Sequence, residues 1–373
     1  MPKRRANHEG TIYKRQDGRW VASVTMPGGK RKSFYGQTRQ EVAQKLTVGL
    51  KARLDGMPLP SDQLKVGRYL QEWLQSVAPS IRPTTWRRYE QLLRIHVLPA
   101  LGGLPLTRLE PHHIQHLYAD LLAHGMPGNT VRLLHAVFRR AMGQAAKWSM
   151  VPRNVVQLVS PPRSARHEMQ PLSAVQTRAL LDVAQGERLS ALYVLAIHTG
   201  MRLGELLGLQ WRDIDLTAGR LHVQHTLLRT RGIWRLAEPK TARSRRRIAL
   251  APGAIEALRH HRAQQATERL HLGAAWEDND MVFANAVGRP LQANHILNRC
   301  FRPLLAKAGL PQIRFHDLRH TAATLLLHQG VHPKVVSEML GHSSIGMTLD
   351  VYSHVIPDMQ DTAVKAMDAL LRG

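Results

Sequence analysis

The spacing of apolar residues changes along the chain and divides it into three stretches. In residues 1–60, GTIYKR, GRWVASVTM and KRKSFYG alternate apolar with polar positions, with breaks at Asp17-Gly18 and Pro27-Gly28-Gly29, which predicts a three-stranded antiparallel sheet. From Thr38 the period becomes helical. Thr38 is placed to cap, Glu41 takes the third helical position, and Val42, Leu46 and Leu50 recur on one face up to Gly56. MPLPSDQ then reads as a linker.

Residues 64–158 carry helical spacing throughout. VGRYLQEWLQSV puts Val66, Tyr69, Leu70, Trp73 and Leu74 on one face. A second helix is predicted to open at Thr84 or Thr85, a third has Pro111 early and Gly125 at its stop, and a fourth is capped by Asn129 or Thr130. VSPPRSARHEMQP is the second linker. Residues 171–373 are mixed. An apolar helix from Leu189 to His198 stops at Thr199-Gly200, and strand-like alternation follows in GRLHVQHTLL, GIWRLAEP and SRRRIALAP. Pro239 to Ala242 is read as the turn between the last two, which places Lys240 at a hairpin tip. A helix from Pro252 to Leu270, a short strand at MVF and further helices complete the unit. The expected fold is a multidomain α+β chain: a small sheet plus helix (1–60), a helical bundle (64–158), and a mostly α unit with a small antiparallel sheet (171–373).

Charge changes this picture more than composition does. Of 373 residues, 52 are Lys or Arg and 27 are Asp or Glu, a formal net charge of +25, so nucleic acid is the expected partner. The first sixty residues alone hold thirteen basic and four acidic side chains, with aromatics interleaved, as suits a sheet laid in a DNA groove. No apolar run is long enough to span a membrane, and no apolar h-region follows the basic start Met1-Pro-Lys-Arg-Arg. The one cysteine, Cys300, fits a reducing cytoplasm and a small core side chain rather than a nucleophile. The many histidines of the helical stretch have no accompanying Cys and read as scattered surface residues rather than metal ligands.

Candidate chemistry gathers near the C-terminus. His316, Arg319 and His320 stand at i, i+3 and i+4, so one helical face carries two imidazoles and a guanidinium, a set suited to holding a phosphate. Gly341-His342 adds an imidazole at the end of a short helix, and Tyr352 a hydroxyl ten residues on. Upstream, Arg202 and Glu205 are three apart near a helix start, where the carboxylate orients the guanidinium and the helix end favours an anion.

The order Thr199-Gly-Met-Arg202-Leu-Gly-Glu205, Lys240, His316-Asp-Leu-Arg319-His320, Leu340-Gly-His342 and Tyr352 resembles the tyrosine recombinase, or phage integrase, family. The resemblance is strong over 171–373. Residues 64–158 are similar to that family's core DNA-binding domain and residues 1–60 to its arm-site DNA-binding domain. LSAVQTRALL departs from the family in lacking acidic residues after Leu-Ser. The resemblance implies attack of Tyr352 on a DNA phosphodiester to give a 3′-phosphotyrosyl bond. Arg202, Arg319 and His342 hold the phosphate oxygens, His316 helps with the tyrosine proton, and Lys240 protonates the leaving 5′-oxygen. Glu205 and His320 stand behind that set, and no metal or cofactor is needed. It also implies double-stranded DNA with core and arm attachment sites, a homotetramer in the synaptic complex, and accessory DNA-bending and excision proteins.

Three other readings are weaker. HDLRH resembles the HExxH zinc motif, but Asp317 replaces the glutamate and no third ligand follows nearby. A non-catalytic DNA-binding protein leaves Arg202, Lys240, Arg319, His342 and Tyr352 unexplained together. A type IB topoisomerase shares the chemistry, but two N-terminal DNA-binding units favour a site-seeking recombinase.

Overall fold

The computed structural model describes residues 10–25, 31–54, 63–163, 169–230, 232–238, 244–342, 344–352, 364 and 367–372. The chain divides into two compact units, Met1–Arg166 and His167–Gly373.

The first unit opens with strands β1 (Thr11–Lys14), β2 (Trp20–Thr25) and β3 (Arg31–Gly36), an antiparallel sheet in the order β1-β2-β3. The register sets Ile12, Ala22 and Phe34 side by side, and this face buries Ala22 and Val24 against Val42 and Leu46 of helix α1 (Arg39–Leu54). The opposite face aligns Tyr13, Val21 and Tyr35, and the two tyrosines stay half exposed at 49% and 51%. Thr38 Oγ1 accepts the Glu41 N–H (3.2 Å) and the Glu41 carboxylate accepts the Gln37 N–H (2.9 Å), so the expected cap forms. The Pro27-Gly29 turn lies outside the described residues.

Helices α2 (Val66–Val77), α3 (Pro83–Leu92), α4 (Leu98–Leu101), α5 (Pro111–Ala123) and α6 (Gly128–Lys147) build a separate core. Val66, Tyr69, Leu70, Trp73 and Leu74 are the buried face of α2, as their spacing requires. Two helix starts differ from expectation. Helix α3 begins at Pro83 and α6 at Gly128, because proline at the first helical position, or just before it, presets φ without a capping side chain. His135 is also not a surface residue. It is buried, with its Nδ1 3.2 Å from the Tyr118 hydroxyl, so the polar ring sits in the core with its hydrogen bond made.

The second unit is built around α8 (Ser190–Thr199), which is preceded by α7 (Ala174–Ala184) and buried nearly all round its circumference. Helix α9 (Leu203–Leu207) follows. Strands β4 (Ile214–Asp215), β5 (Arg220–Val223) and β8 (Arg246–Ala249) make one antiparallel sheet, while β6 (Thr226–Thr230) and β7 (Ile233–Ala237) make a separate ribbon. The strands either side of Lys240 therefore pair with different neighbours, and they do not form the expected hairpin with each other. The predicted MVF strand is a single bridge between Gln210 and Met281. The remaining helices are α10 (Pro252–Leu272), α11 (Ala293–His295), α12 (Arg302–Lys307), α13 (Asp317–His328), α14 (Pro333–Leu340) and α15 (Ile345–Tyr352). Segments Leu93–Val97 and Ile296–Phe301 are π-helical, and each is followed two residues on by a proline, Pro99 or Pro303. The wider turn makes room for a ring that would clash with the carbonyl four residues back. No helix among the described residues is long and apolar enough to cross a membrane.

Candidate active site

The site forms where the C-terminal end of α8, the start of α9, strand β8 and helices α13 and α14 meet. Gly200 ends α8 in the left-handed region (φ +59°), where a Cβ would also stand 2.3 Å from Leu340. The turn it permits delivers Arg202 at the first position before α9, and the Gly200 carbonyl accepts a 2.9 Å hydrogen bond from Arg319 Nη1. A cation at a helix C-terminus is favoured by the helix dipole. Arg319 is thus anchored on α8 from the buried face of α13.

Arg202 is held by Glu205. The carboxylate accepts from Arg202 Nη1 (2.8 Å) and from its backbone N–H (3.1 Å), as the i, i+3 spacing implied. Helix α9 is only five residues long, so the local positive field comes chiefly from guanidinium groups rather than from its dipole. Glu205 is almost fully buried. Burial pushes its carboxyl up, but the charges and hydrogen bonds of Arg246 and Arg202 outweigh that and hold it below the usual carboxylate range.

Arg246, on β8, was not singled out in the sequence. Its Nη2 donates to Glu205 Oε2 (2.9 Å), its Nε to the Met339 carbonyl (2.5 Å) and its Nη1 to the Ser244 carbonyl (3.2 Å). Strand alternation held a signal for it: position 246 shares a face with Ile248 and Leu250, both buried, so an arginine there had to point inward.

The imidazoles complete the arrangement. His316 precedes α13, and its ring meets that of His320 edge to face at 5.1 Å. His342 follows α14, which ends at Gly341 in the left-handed region, and its Nδ1 lies 2.8 Å from the Thr348 hydroxyl of α15. Burial, then the charges of Arg319 and Arg202, push both His316 and His342 below the ordinary imidazole range, His342 to about 4. Burial and the neighbouring His316 bring His320 to about 4 as well. That the same two arginines act on His316 and His342 reflects their convergence from segments more than a hundred residues apart.

Asp317, second in the His-Asp-Leu-Arg-His run, accepts from the Arg314 N–H (2.8 Å), Nε (3.2 Å) and Nη2 (2.7 Å). It is a buried structural anchor for the start of α13, and no group of three or more His, Cys, Asp or Glu among the described residues is placed to hold a metal ion. The structure therefore brings together Arg202, Glu205, His316, Arg319, His320 and His342. Tyr352 is the last residue of α15, the helix tied to His342 through Thr348, and Lys240 lies outside the described residues.

Residues 170–358 match the model of the phage integrase family, and residues 65–122 that of the phage integrase N-terminal SAM-like domain. A tyrosine recombinase XerC-like protein of Caldanaerobacter subterraneus is 32% identical over 360 residues, covering 91% of this chain and 92% of its own. An integrase of Streptomyces ambofaciens is 31% identical over 388 residues, covering 100% and 99%. The fold is similar to that of the Tn1549 transposon integrase in complex with transposon right end DNA (TM-score 0.70, 22% identity, 82% of this chain and 100% of that one). It is also similar to a lambda integrase dimer bound to a COC′ core site (TM-score 0.59, 18% identity, 94% and 96%). The chain belongs to the phage integrase family: it is a site-specific tyrosine recombinase, which cleaves and rejoins DNA through a tyrosine-linked intermediate.

Proposed function

We propose that Tyr352 is the nucleophile and that Arg202, Arg319 and His342 hold the non-bridging oxygens of the scissile phosphate. A tyrosine hydroxyl titrates near pH 10, so attack at neutral pH needs a proton acceptor beside strong positive charge. His316, kept neutral by burial and two flanking guanidiniums, suits the acceptor role. Arg202 and Arg319 stabilise the charge that grows on the oxygens in the transition state. His342 adds a donor there. Lys240 protonates the departing 5′-oxygen. Glu205 orients Arg202, and His320 supports His316. The anchoring of Arg319 on the Gly200 carbonyl, two residues before the Glu205-held Arg202, is the observation that carries this assignment.

Charge and domain order support roles for the other parts of the chain. Residues 1–60 engage arm-type DNA through the sheet face bearing Tyr13 and Tyr35, residues 64–158 clamp core DNA, and residues 171–373 perform the chemistry. The protein acts in the cytoplasm on double-stranded attachment sites, as a homotetramer at synapsis, with DNA-bending and excision factors as accessories. Residues 367–372 are helical and expose Met367, Leu370 and Leu371 at 58%, 77% and 77% of their surface, an apolar face for another surface to cover.

The test uses a duplex of the sequence that the chain selects from a random pool, nicked beside the crossover point so that the cleaved fragment is lost. A covalent protein–DNA adduct is expected with the wild type and none with Tyr352→Phe, while both bind the duplex. A chain that binds equally well but never forms the adduct would be a non-catalytic binder. Strand exchange between two duplexes separates a recombinase from a topoisomerase.

A further inference from the structure

We propose that Arg246 is a positioning residue for phosphate activation, fixing Arg202 and His342 relative to one another. The inference rests on the reading of those two residues as phosphate ligands.

Arg246 stands on β8 opposite Val223 of β5, with its side chain only 6% exposed. Burying a guanidinium is costly unless its donors are satisfied, and here two nitrogens reach distant segments and the third a carbonyl of its own segment. Nη2 meets Glu205, the carboxylate that holds Arg202, at 2.9 Å. Nε meets the carbonyl of Met339, three residues before His342, at 2.5 Å. That carbonyl lies in the last turn of α14, where the helix offers it no N–H partner. Nη1 meets the carbonyl of Ser244, four residues after Lys240, at 3.2 Å.

The division of the Glu205 carboxylate between two arginines matters most. Oε1 accepts from Arg202 Nη1, while Oε2 accepts from Arg246 and from the Arg202 backbone. Arg202 is therefore gripped at one terminal nitrogen, and its side chain stays 39% exposed. Without Arg246, Oε2 is left to the Arg202 guanidinium, and a bidentate pair would draw those donors off the phosphate. Lysine cannot reproduce the planar fork that spans three acceptors. The two distant contacts of Arg246 thus lead to the segments that carry Arg202 and His342.

The test compares Arg246→Met, Arg246→Lys and Arg202→Ala on the nicked duplex described above. The scissile position carries either the natural phosphodiester or a methylphosphonate, which lacks the negative charge that the arginines neutralise. Arg246→Met is expected to bind the duplex as wild type does and to form adduct about 100-fold more slowly on the phosphodiester, the scale of a misplaced catalytic group. Most of that loss should vanish on the methylphosphonate, as it should for Arg202→Ala. Arg246→Lys, which keeps the charge opposite Glu205, should fold, show a smaller loss and show the same relief, so the result stands even if the methionine variant is unstable. Wild-type rates in both Arg246 variants, or losses equal on the two substrates, would overturn the inference and leave Arg246 as scaffold. If Arg202→Ala itself cleaves the phosphodiester at the wild-type rate, the reading of Arg202 fails first and takes the inference with it.

Discussion

Gly200→Ala is the substitution in which the geometry makes its sharpest demand. The residue has φ +59°, and an added Cβ would lie 2.3 Å from Leu340 Cδ2, with Ala322 Cβ and Arg319 Cγ both at 3.7 Å. The left-handed conformation costs a non-glycine residue roughly 1–2 kcal/mol. Overpacking against Leu340, which is fully buried, adds roughly 1–3 kcal/mol, so the total is roughly 2–5 kcal/mol. Hydrogen exchange reads this directly. At tenfold per 1.4 kcal/mol, protection of peptides from α8 and α13 should fall by roughly 30-fold to several thousandfold. Adduct formation should fall too, because the Gly200 carbonyl that anchors Arg319 must move with the turn. Gly253→Ala in the first turn of α10 is the control. A Cβ there meets nothing within 4 Å, so protection should be unchanged or slightly raised. Equal protection and equal cleavage rate in Gly200→Ala and wild type would mean that the turn tolerates a side chain and does not set the position of Arg319.

Three further outcomes are expected. In the DNA-free protein His320 and His342 should titrate near pH 4 by NMR. Their folded values lie below the ordinary imidazole value of 6.5, so the stability they contribute is complete above that pH and is lost as pH falls towards 4; midpoints near 6.5 would contradict the burial of the site. Arg314→Ala removes two side-chain donors from the buried Asp317. It should lower the urea midpoint by the equivalent of about 1–3 kcal/mol at pH 7. Burial raises the Asp317 pKa, but Arg314 holds it below 3.8, so the contribution is present above that value, disappears as pH falls through the lower folded pKa, and the variant's deficit should narrow there. Replacing Tyr13 and Tyr35 with serine should weaken binding to long attachment-site DNA in a gel-shift titration and leave cleavage of the short nicked duplex unchanged. A loss of cleavage instead would argue against a separate arm-binding role.

What the sequence disclosed depended on how local the cause was. The buried face of α2, the stop of α8 at Gly200 and the Arg202–Glu205 pair all follow from spacings of a few residues, and all are found. Arg246 was hidden because its partners lie 41 and 93 positions away, and because its neighbours Arg245 and Arg247 face solvent, making the three arginines read as one charged run. His135 was hidden in the same way. A histidine among surface arginines looks exposed until the spacing of Val131, Leu134 and Phe138 is followed round α6 to the Tyr118 hydroxyl. The pairing of β7 with β6 and of β8 with β5 depends on contacts across the unit, which strand alternation does not encode.

The roles assigned to the site all require that Tyr352 become joined to DNA through a 3′-phosphate. Peptide mapping of the adduct trapped on the nicked duplex tests it most directly. The expected product is a nucleotide-bearing peptide whose modified residue is Tyr352, linked to the 3′-phosphate, with a free 5′-hydroxyl on the released strand. An adduct at another residue, a 5′-linked product, or an adduct that persists in Tyr352→Phe would contradict it.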